Sequence, residues 1–185
     1  MVRTKMGFRI VPVALLSLSF PLCVRAQPAP VASGPEMERL AKALAGDWGT
    51  VETMEKSAEF PQGGSRRGMV HARLAAGGTT LIYEVDSDGS AGKLNGFLAI
   101  WWDPEPRVYD VFVCFNSPKH PCQTRGTARW EGDVFVNDYE LPAGGKLIRW
   151  RDTFGFTPTS HTLLAAMDIG GGRMKTLITT RATRR

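Results

Sequence analysis

The sequence predicts an all-β protein, a single up-and-down antiparallel β-barrel of about ten strands with a short N-terminal capping helix. From Asp47 onward, apolar residues recur with a period of two and glycine-rich turn signals come at close, regular intervals. No stretch between two predicted strands has the length and helical pattern of a parallel crossover. Neighbouring strands should therefore pair antiparallel, and closure into a barrel removes both exposed edges.

The first residues predict an export signal. Arg3, Lys5 and Arg9 form a basic region, and the apolar run that follows, residues 10–22, is too short for a membrane span. Small residues flank a cleavage position after Ala26, which predicts a periplasmic or secreted protein. We expect a signal peptide at 1–26, a flexible linker at 27–35 and one barrel domain at 36–185.

Cleavage changes the charge balance of the chain. Four of the 23 Lys and Arg residues lie in the signal, so 19 remain against 18 Asp and Glu, a net charge of +1. A nucleic-acid partner is therefore not expected, because the high pI comes largely from the signal. Cys114 and Cys122 remain and flank a predicted hairpin loop, which favours a disulfide in an oxidising compartment. The alternative, a metal-binding or catalytic role for the two cysteines, is disfavoured because no other Cys or His pair stands at ligand spacing.

The helix is predicted from Pro35 to Leu44. Proline and glutamate at its start suit the first turn, and Met37, Leu40 and Leu44 share one face. Gly46 follows as a residue that tolerates positive φ. We expect this helix to cover one end of the barrel.

The strands are expected at 47–56, 67–76, 79–87, 94–102, 107–116, 123–131, 133–141, 146–156, 160–168 and 173–183. A membrane-embedded barrel needs an uninterrupted apolar outer band. Charged residues interrupt these strands at Glu52, Arg73, Glu84, Arg129, Arg149 and Arg151. The sequence therefore predicts a barrel that does not span a membrane.

Gly46-Asp47-Trp48 at the start of the meander and Arg181 in its last strand resemble the calycin pattern, that of lipocalins and their relatives. The resemblance implies that Trp48 seals the closed end of the barrel and that Arg181 lies across its indole. Further motifs are similar to a lipocalin-like bacterial family of small, often exported proteins of unknown function: Asn95-Gly96-Phe97, Trp102-Asp103-Pro104, Val108-Tyr109 and Arg149-Trp150-Arg151. This resemblance implies a fold and no reaction. Haem-binding relatives use a His near the end of the chain, but His161 opens the penultimate strand and the closing strand has no His, so no haem is expected.

The fourth strand is apolar on both faces. Phe97, Ala99 and Trp101 share one face, while Leu98, Ile100 and Trp102 share the other. One set should face the barrel interior, and the other should pack under the helix or form a contact such as a homodimer interface. The candidate lumen residues are Tyr83, Phe97, Trp101, Tyr109, Phe112, Arg149 and Arg151. Either arginine would bind a ligand carboxylate or pair with Asp110 or Glu84.

The main functional hypothesis is a binding protein that holds a small apolar or amphipathic molecule in an aromatic-walled lumen. No catalytic constellation, metal site or cofactor is predicted from the spacing of residues. An enzyme on the same barrel, an isomerase or hydrolase, would need an acid or base of strongly shifted pKa in the cavity. A structural or interaction protein would instead have a filled lumen and a working outer surface.

Overall fold

The computed structural model describes residues 34–116, 122, 124–143 and 145–185. Helix α1 is Pro35–Leu44, and a short 3-10 helix, Ala76–Gly78, joins the second strand to the third. The strands are β1 Gly46–Met54, β2 Gly64–Ala75, β3 Thr80–Asp88, β4 Leu94–Asp103, β5 Val108–Phe115, β6 Thr124–Glu131, β7 Val134–Ala143, β8 Lys146–Phe156, β9 Ser160–Asp168 and β10 Met174–Arg184. The predicted signal peptide and nearly all of the predicted linker lie outside the described residues.

The ten strands form one closed barrel in which each strand pairs antiparallel with its neighbours in the chain. The barrel closes where β1 pairs with β10, from Trp48 opposite Arg184 to Met54 opposite Ile178. This topology confirms the predicted fold class. The second strand begins earlier than the predicted residue 67, because Gly64 still pairs with Met54.

Side chains alternate between a buried inner face and a more exposed outer face. On β1, Trp48, Thr50 and Met54 are buried, while Asp47 and Val51 are exposed. Residues that pair across neighbouring strands lie on the same face, so the alternation continues around the barrel. Inner residues at one end meet the helix, and those further along surround a cavity.

Helix α1 covers the closed end. Its apolar residues Met37, Leu40 and Leu44 are buried against Trp48, which is 1% exposed and donates its Nε1–H to the Leu44 carbonyl over 2.8 Å. On the other side, the side chain of Tyr109 donates to the carbonyl of Glu36 at 2.8 Å and so fixes the first turn of the helix. Among the described residues, no helix has the length and apolar character to cross a membrane.

The residue that lies over the Trp48 indole is Arg184, with its guanidinium carbon 4.4 Å from the ring centroid. The sequence-based assignment of this contact to Arg181 is wrong. Arg181 pairs with Val51 on the exposed face of the barrel, whereas Arg184 pairs directly with Trp48. Gly46 has a φ of 133°, and a β-carbon at this position would lie 2.8 Å from Nη1 of Arg184. A side chain there would meet both a strained backbone and the arginine.

Cys114 and Cys122 form a disulfide, with their sulfur atoms 1.98 Å apart. Cys114 lies near the end of β5, and Cys122 lies just before β6. The bridge therefore joins the two sides of the connection between these strands. This confirms the predicted pairing.

Candidate functional site

The lumen contains a cavity of about 320 Å³. All ten strands contribute side chains to its wall. Its mouth lies at the end of the barrel opposite α1, where Phe60, Ala91, Lys93 and Asn116 come from the connections that follow β1, β3 and β5. In the part of the chain that the structure describes, a ligand can therefore approach from the side of the barrel that the helix leaves free.

Most of the cavity wall is apolar. Aliphatic side chains and aromatic rings line it, among them Val70, Val85, Leu98, Val113, Leu163, Ile178, Phe115, Trp150, Phe154 and Tyr83. Polar groups interrupt this surface, among them a buried ion pair and a buried aspartate. An apolar wall with few polar groups is the usual composition of a small-molecule site.

One polar group is an ion pair on the wall. Nε of Arg66 lies 2.9 Å from Oε1 of Glu52, and both side chains are largely buried. The residues face each other in the β1–β2 register, and Thr180 on the other neighbouring strand donates to Oε2 of Glu52 at 3.2 Å. Arg66 also donates to the sulfur of Met54 at 3.4 Å. The two charges therefore compensate each other within the wall.

The second polar group is Asp152 on β8. It is 8% exposed, and the hydroxyl of Tyr139 donates to its Oδ1 at 3.1 Å. Burial raises the pKa of Asp152 to about 7 and outweighs the opposing effects of Tyr139 and Asn137, while the carboxylates of Asp138 and Glu52 add smaller raising effects. Removal of the Tyr139 hydroxyl from water, together with the nearby Asp152, raises the pKa of Tyr139 well above its usual value. Asp152 is thus the carboxyl group in the wall that changes its charge near neutral pH.

Tyr83 lines the cavity, and His161 lies behind it on the side of the closed end. The Tyr83 hydroxyl lies 3.0 Å from Nε2 of His161, and the imidazole meets the Trp48 ring edge to face with centroids 4.6 Å apart. Burial, with a smaller effect of Arg184, lowers the pKa of His161 to about 4, so the ring is neutral at neutral pH. Burial also raises the pKa of Tyr83. This pair separates the cavity from the aromatic packing of the closed end.

Of the predicted lumen residues, Tyr83 lines the cavity. Tyr109 is buried at the closed end, where it accepts a hydrogen bond from Nε1 of Trp130 at 3.1 Å. Burial raises the pKa of Tyr109 to about 12; the hydrogen bond from Trp130 opposes this rise, and Glu36 adds to it. Its role is to hold α1, and its prediction as a lumen residue is corrected.

Phe97, Trp101 and Phe112 lie on the outer face of the barrel, and their prediction as lumen residues is also corrected. The alternate residues of the same strands, Leu98 and Val113, line the cavity. The Phe97 and Phe112 rings contact each other across β4 and β5, with centroids 6.2 Å apart. The reason is that successive side chains of a strand point to opposite faces, so Phe97 faces outward where Leu98 faces inward.

Arg149 and Arg151 likewise lie on the outer face, because Trp150 and Asp152 beside them point inward. Both arginines bind Asp138, at 3.0 Å and 2.8 Å, and not the expected Asp110 or Glu84. Arg129 binds the second oxygen of the same carboxylate at 2.9 Å and also pairs with Glu131. Burial alone would raise the pKa of Asp138, but hydrogen bonds from the three arginines outweigh it and hold the pKa well below its usual range. This cluster is a feature of the outer surface.

The polar lumen residues that the sequence did not predict include Glu52, Arg66, Tyr139 and Asp152. For two of them, the alternation of side chains along the strand indicates the inner face. Asp152 shares a face with the aromatic residues two positions before and after it, and Glu52 shares a face with Trp48. A charged residue in phase with buried aromatics indicates a polar group inside the barrel.

A comparison with solved structures finds similarity to the crystal structure of Rv2717c from M. tuberculosis, with a TM-score of 0.56 and 14% sequence identity. The match covers 83% of this chain and 99% of that chain. At this identity the likeness supports the barrel fold alone. No family model matches the chain, and no curated protein matches it significantly. Membership of the lipocalin-like family therefore stays a prediction.

Proposed function

We propose that the protein is exported and binds a small apolar or amphipathic molecule in the lumen of its barrel. The observation that carries the proposal is the cavity of about 320 Å³, apolar over most of its wall and open at one end. Small-molecule sites in proteins usually measure about 300–1,000 Å³ and combine apolar walls with a few placed polar groups. The volume here suits a small ligand at the lower end of that range.

Transfer of the ligand from water would supply the affinity. Each CH₂ group buried in an apolar environment contributes roughly 0.8 kcal/mol. The wall is already formed by strands that pair around the whole barrel, so binding requires little ordering of the protein. The ion pair and Asp152 would then orient the polar end of the ligand.

Export is the second part of the proposal. The Cys114–Cys122 disulfide suits an oxidising compartment such as the periplasm or the extracellular space. The basic and apolar pattern of the first 26 residues suits a cleaved signal. Amino-terminal sequencing of the protein recovered from a secreting host tests this part, with cleavage after Ala26 as the expected result.

A titration with the neutral fluorophore N-phenyl-1-naphthylamine tests binding in the lumen. Ala165 lines the cavity, and Ala165→Phe should fill part of it and weaken uptake at least tenfold. Ala166→Phe introduces the same side chain on the opposite face of β9 and should leave uptake within twofold of the unaltered protein. Val85→Phe fills the cavity from β3 and provides a second obstructing variant. Equal uptake by all four proteins would exclude the lumen as the binding site.

A second candidate function is acid–base catalysis on the bound molecule, as a hydrolase or isomerase. The observation that favours it is the pKa of Asp152, raised to about 7 by burial in the cavity wall. Hydrolysis of p-nitrophenyl butyrate tests the hydrolase form of this candidate. A rate above the uncatalysed one that is lost in Asp152→Asn would support catalysis, and a rate unchanged by that substitution would not.

A further inference from the structure

We propose that the lumen selects amphipathic amines, with the ammonium group of the ligand bound at Asp152 and Tyr139 and its apolar body against the aliphatic wall. This inference rests on the proposed function and specifies the chemical class of the ligand. It follows from how charge is distributed over the cavity wall.

The charged residues that line the cavity are Glu52, Arg66, Lys93 and Asp152. Glu52 and Arg66 form an ion pair with each other. Lys93 is exposed at the mouth. Among the described residues, Asp152 has no Lys or Arg within ion-pair distance, and its hydrogen bond comes from the neutral hydroxyl of Tyr139. Within the described ranges, Asp152 is therefore a wall carboxyl group whose charge no protein cation compensates.

The groups around Asp152 favour a cation over an anion. Glu52 is paired with Arg66, and Asp138 on the outer face is paired with arginines, so among the described residues Asp152 is the nearby carboxyl group that has no paired cation. The pKa of the Tyr83 hydroxyl, across the lumen, is raised mainly by burial and further by the negative charges of Glu52 and Asp152. The positive charge of Arg66 is held by Glu52 at 2.9 Å. A ligand carboxylate at Asp152 would meet repulsion, whereas an ammonium group would meet attraction.

A buried amide lies beside Asp152. Asn137 is the cross-strand neighbour of Asp152 and is 1% exposed. Its side chain lowers the pKa of Asp152 and so favours the carboxylate form. Among the described residues, the carboxyl group of Asp152 therefore has the neutral side chains of Tyr139 and Asn137 beside it and no cation within ion-pair distance.

Folding has already removed Asp152 from water. The free-energy cost of removing the carboxylate from water, which usually opposes the burial of an ion pair, is therefore part of folding and not of ligand binding. An ammonium group supplies three donors, which suit a carboxylate and a neighbouring tyrosine oxygen. An alcohol of the same chain length supplies one donor and no charge.

Competition against N-phenyl-1-naphthylamine with decylamine, decanol and decanoate tests the inference. At about pH 8, decylamine should bind at least tenfold tighter than decanol, and decanoate should bind most weakly. In Asp152→Asn the advantage of the amine over the alcohol should be lost, while decanol should bind within threefold of its original affinity. Glu140→Gln removes one negative charge from the exposed part of β7 and should leave the ranking unchanged.

The pH dependence of decylamine binding to the unaltered protein tests the same inference without a variant. Because the pKa of Asp152 is about 7, decylamine should bind about tenfold more weakly at about pH 6 than at about pH 8. Decanol should change little. Tighter binding of decanoate than of decylamine, or an amine advantage that survives in Asp152→Asn, would overturn the inference and leave the proposed function standing. Failure of all three compounds and of the fluorophore to bind would instead reject the proposed function.

Discussion

The guanidinium of Arg184 lies over the indole of Trp48, with its central carbon 4.4 Å from the ring centroid. The same arginine donates from Nη1 to the carbonyl of Ala45 at 3.2 Å. It thereby joins the last strand to the end of helix α1 and to the first strand. The closed end of the barrel is fixed by this contact and by the buried helix.

Replacement of Arg184 with alanine should lower the free energy of unfolding by about 1 kcal/mol, the usual size of a partly exposed cation–π contact. Arg181→Ala is the matched control, because Arg181 is exposed three residues earlier on the same strand. Its effect should stay below about 0.5 kcal/mol. Urea unfolding measures both values, and equal losses in the two variants would contradict the assignment of the contact to Arg184.

Removal of the disulfide should destabilise the barrel moderately. Cys114 and Cys122 are separated by 8 positions, and the loop-entropy relation gives about 2.5 kcal/mol for a loop of that size. The double variant Cys114→Ser, Cys122→Ser should therefore lose about that much free energy of unfolding. Unfolding of the unaltered protein with and without a reductant provides an independent comparison. A double variant as stable as the oxidised protein would contradict the prediction.

Asp152 should make the stability of the fold depend on pH. Its carboxyl group has a pKa of about 7 in the folded protein against a usual value of 3.8, so the folded state favours the protonated form. The stabilisation is complete below about pH 3.8 and is lost as the pH rises through about 7. The free energy of unfolding, compared with that of Asp152→Asn, should fall by up to about 4 kcal/mol over this range. A constant difference between the two proteins from acid to neutral pH would disagree with a protonated buried Asp152.

His161 acts in the opposite direction. Its pKa falls from 6.5 to about 4 on folding, so its contribution is present above about pH 6.5 and is lost as the pH falls through about 4. The two groups partly cancel in the unaltered protein. His161→Gln should therefore show the decline due to Asp152 more steeply than the unaltered protein does. Chemical unfolding at a series of pH values measures the slopes, and parallel curves for the two proteins would contradict the lowered pKa of His161.

Chain length should govern affinity if the apolar wall supplies the binding free energy. From hexanol to decanol, each added CH₂ should tighten binding about fourfold, which corresponds to roughly 0.8 kcal/mol. The increase should stop once the chain fills the cavity of about 320 Å³. Displacement of the fluorophore measures the series. Equal affinities for all the alcohols would show that they bind to a surface and not in an enclosed apolar space.

The fold was predictable because its signals are local. Alternation, turn glycines and the amphipathic helix each depend on neighbouring residues, and they gave the antiparallel closed barrel with a helix at one end. The face of β4 that points inward was not predictable in the same way, because both of its faces are apolar. The register decides it: Trp48 pairs with Val70, Val70 with Val85, and Val85 with Gly96. This chain of pairs gives Leu98 the inner face and Phe97 the outer face.

The candidate site was harder to predict for the same reason. Tyr139 and Asp152 meet through the β7–β8 register, and Glu52 meets Arg66 through the β1–β2 register. Each register depends on the length of the connection between the two strands and on bulges within the strands. The shift between Thr176 and Ile178 on β10 is an example of such a bulge. Asp138, which binds Arg149 and Arg151, is likewise brought to them by pairing across strands. Residue type alone does not distinguish Asp138, on the outer face, from Asp152 in the lumen.

The location of a bound probe tests the central claim most directly. A crystal structure of the protein with N-phenyl-1-naphthylamine should show the fluorophore inside the barrel, between Leu98 and Ile178 and above Tyr83. The outer aromatic residues Trp101 and Phe112 should be unaffected. A fluorophore bound on that outer face, with nothing in the lumen, would contradict the account and would favour a protein that works through its surface.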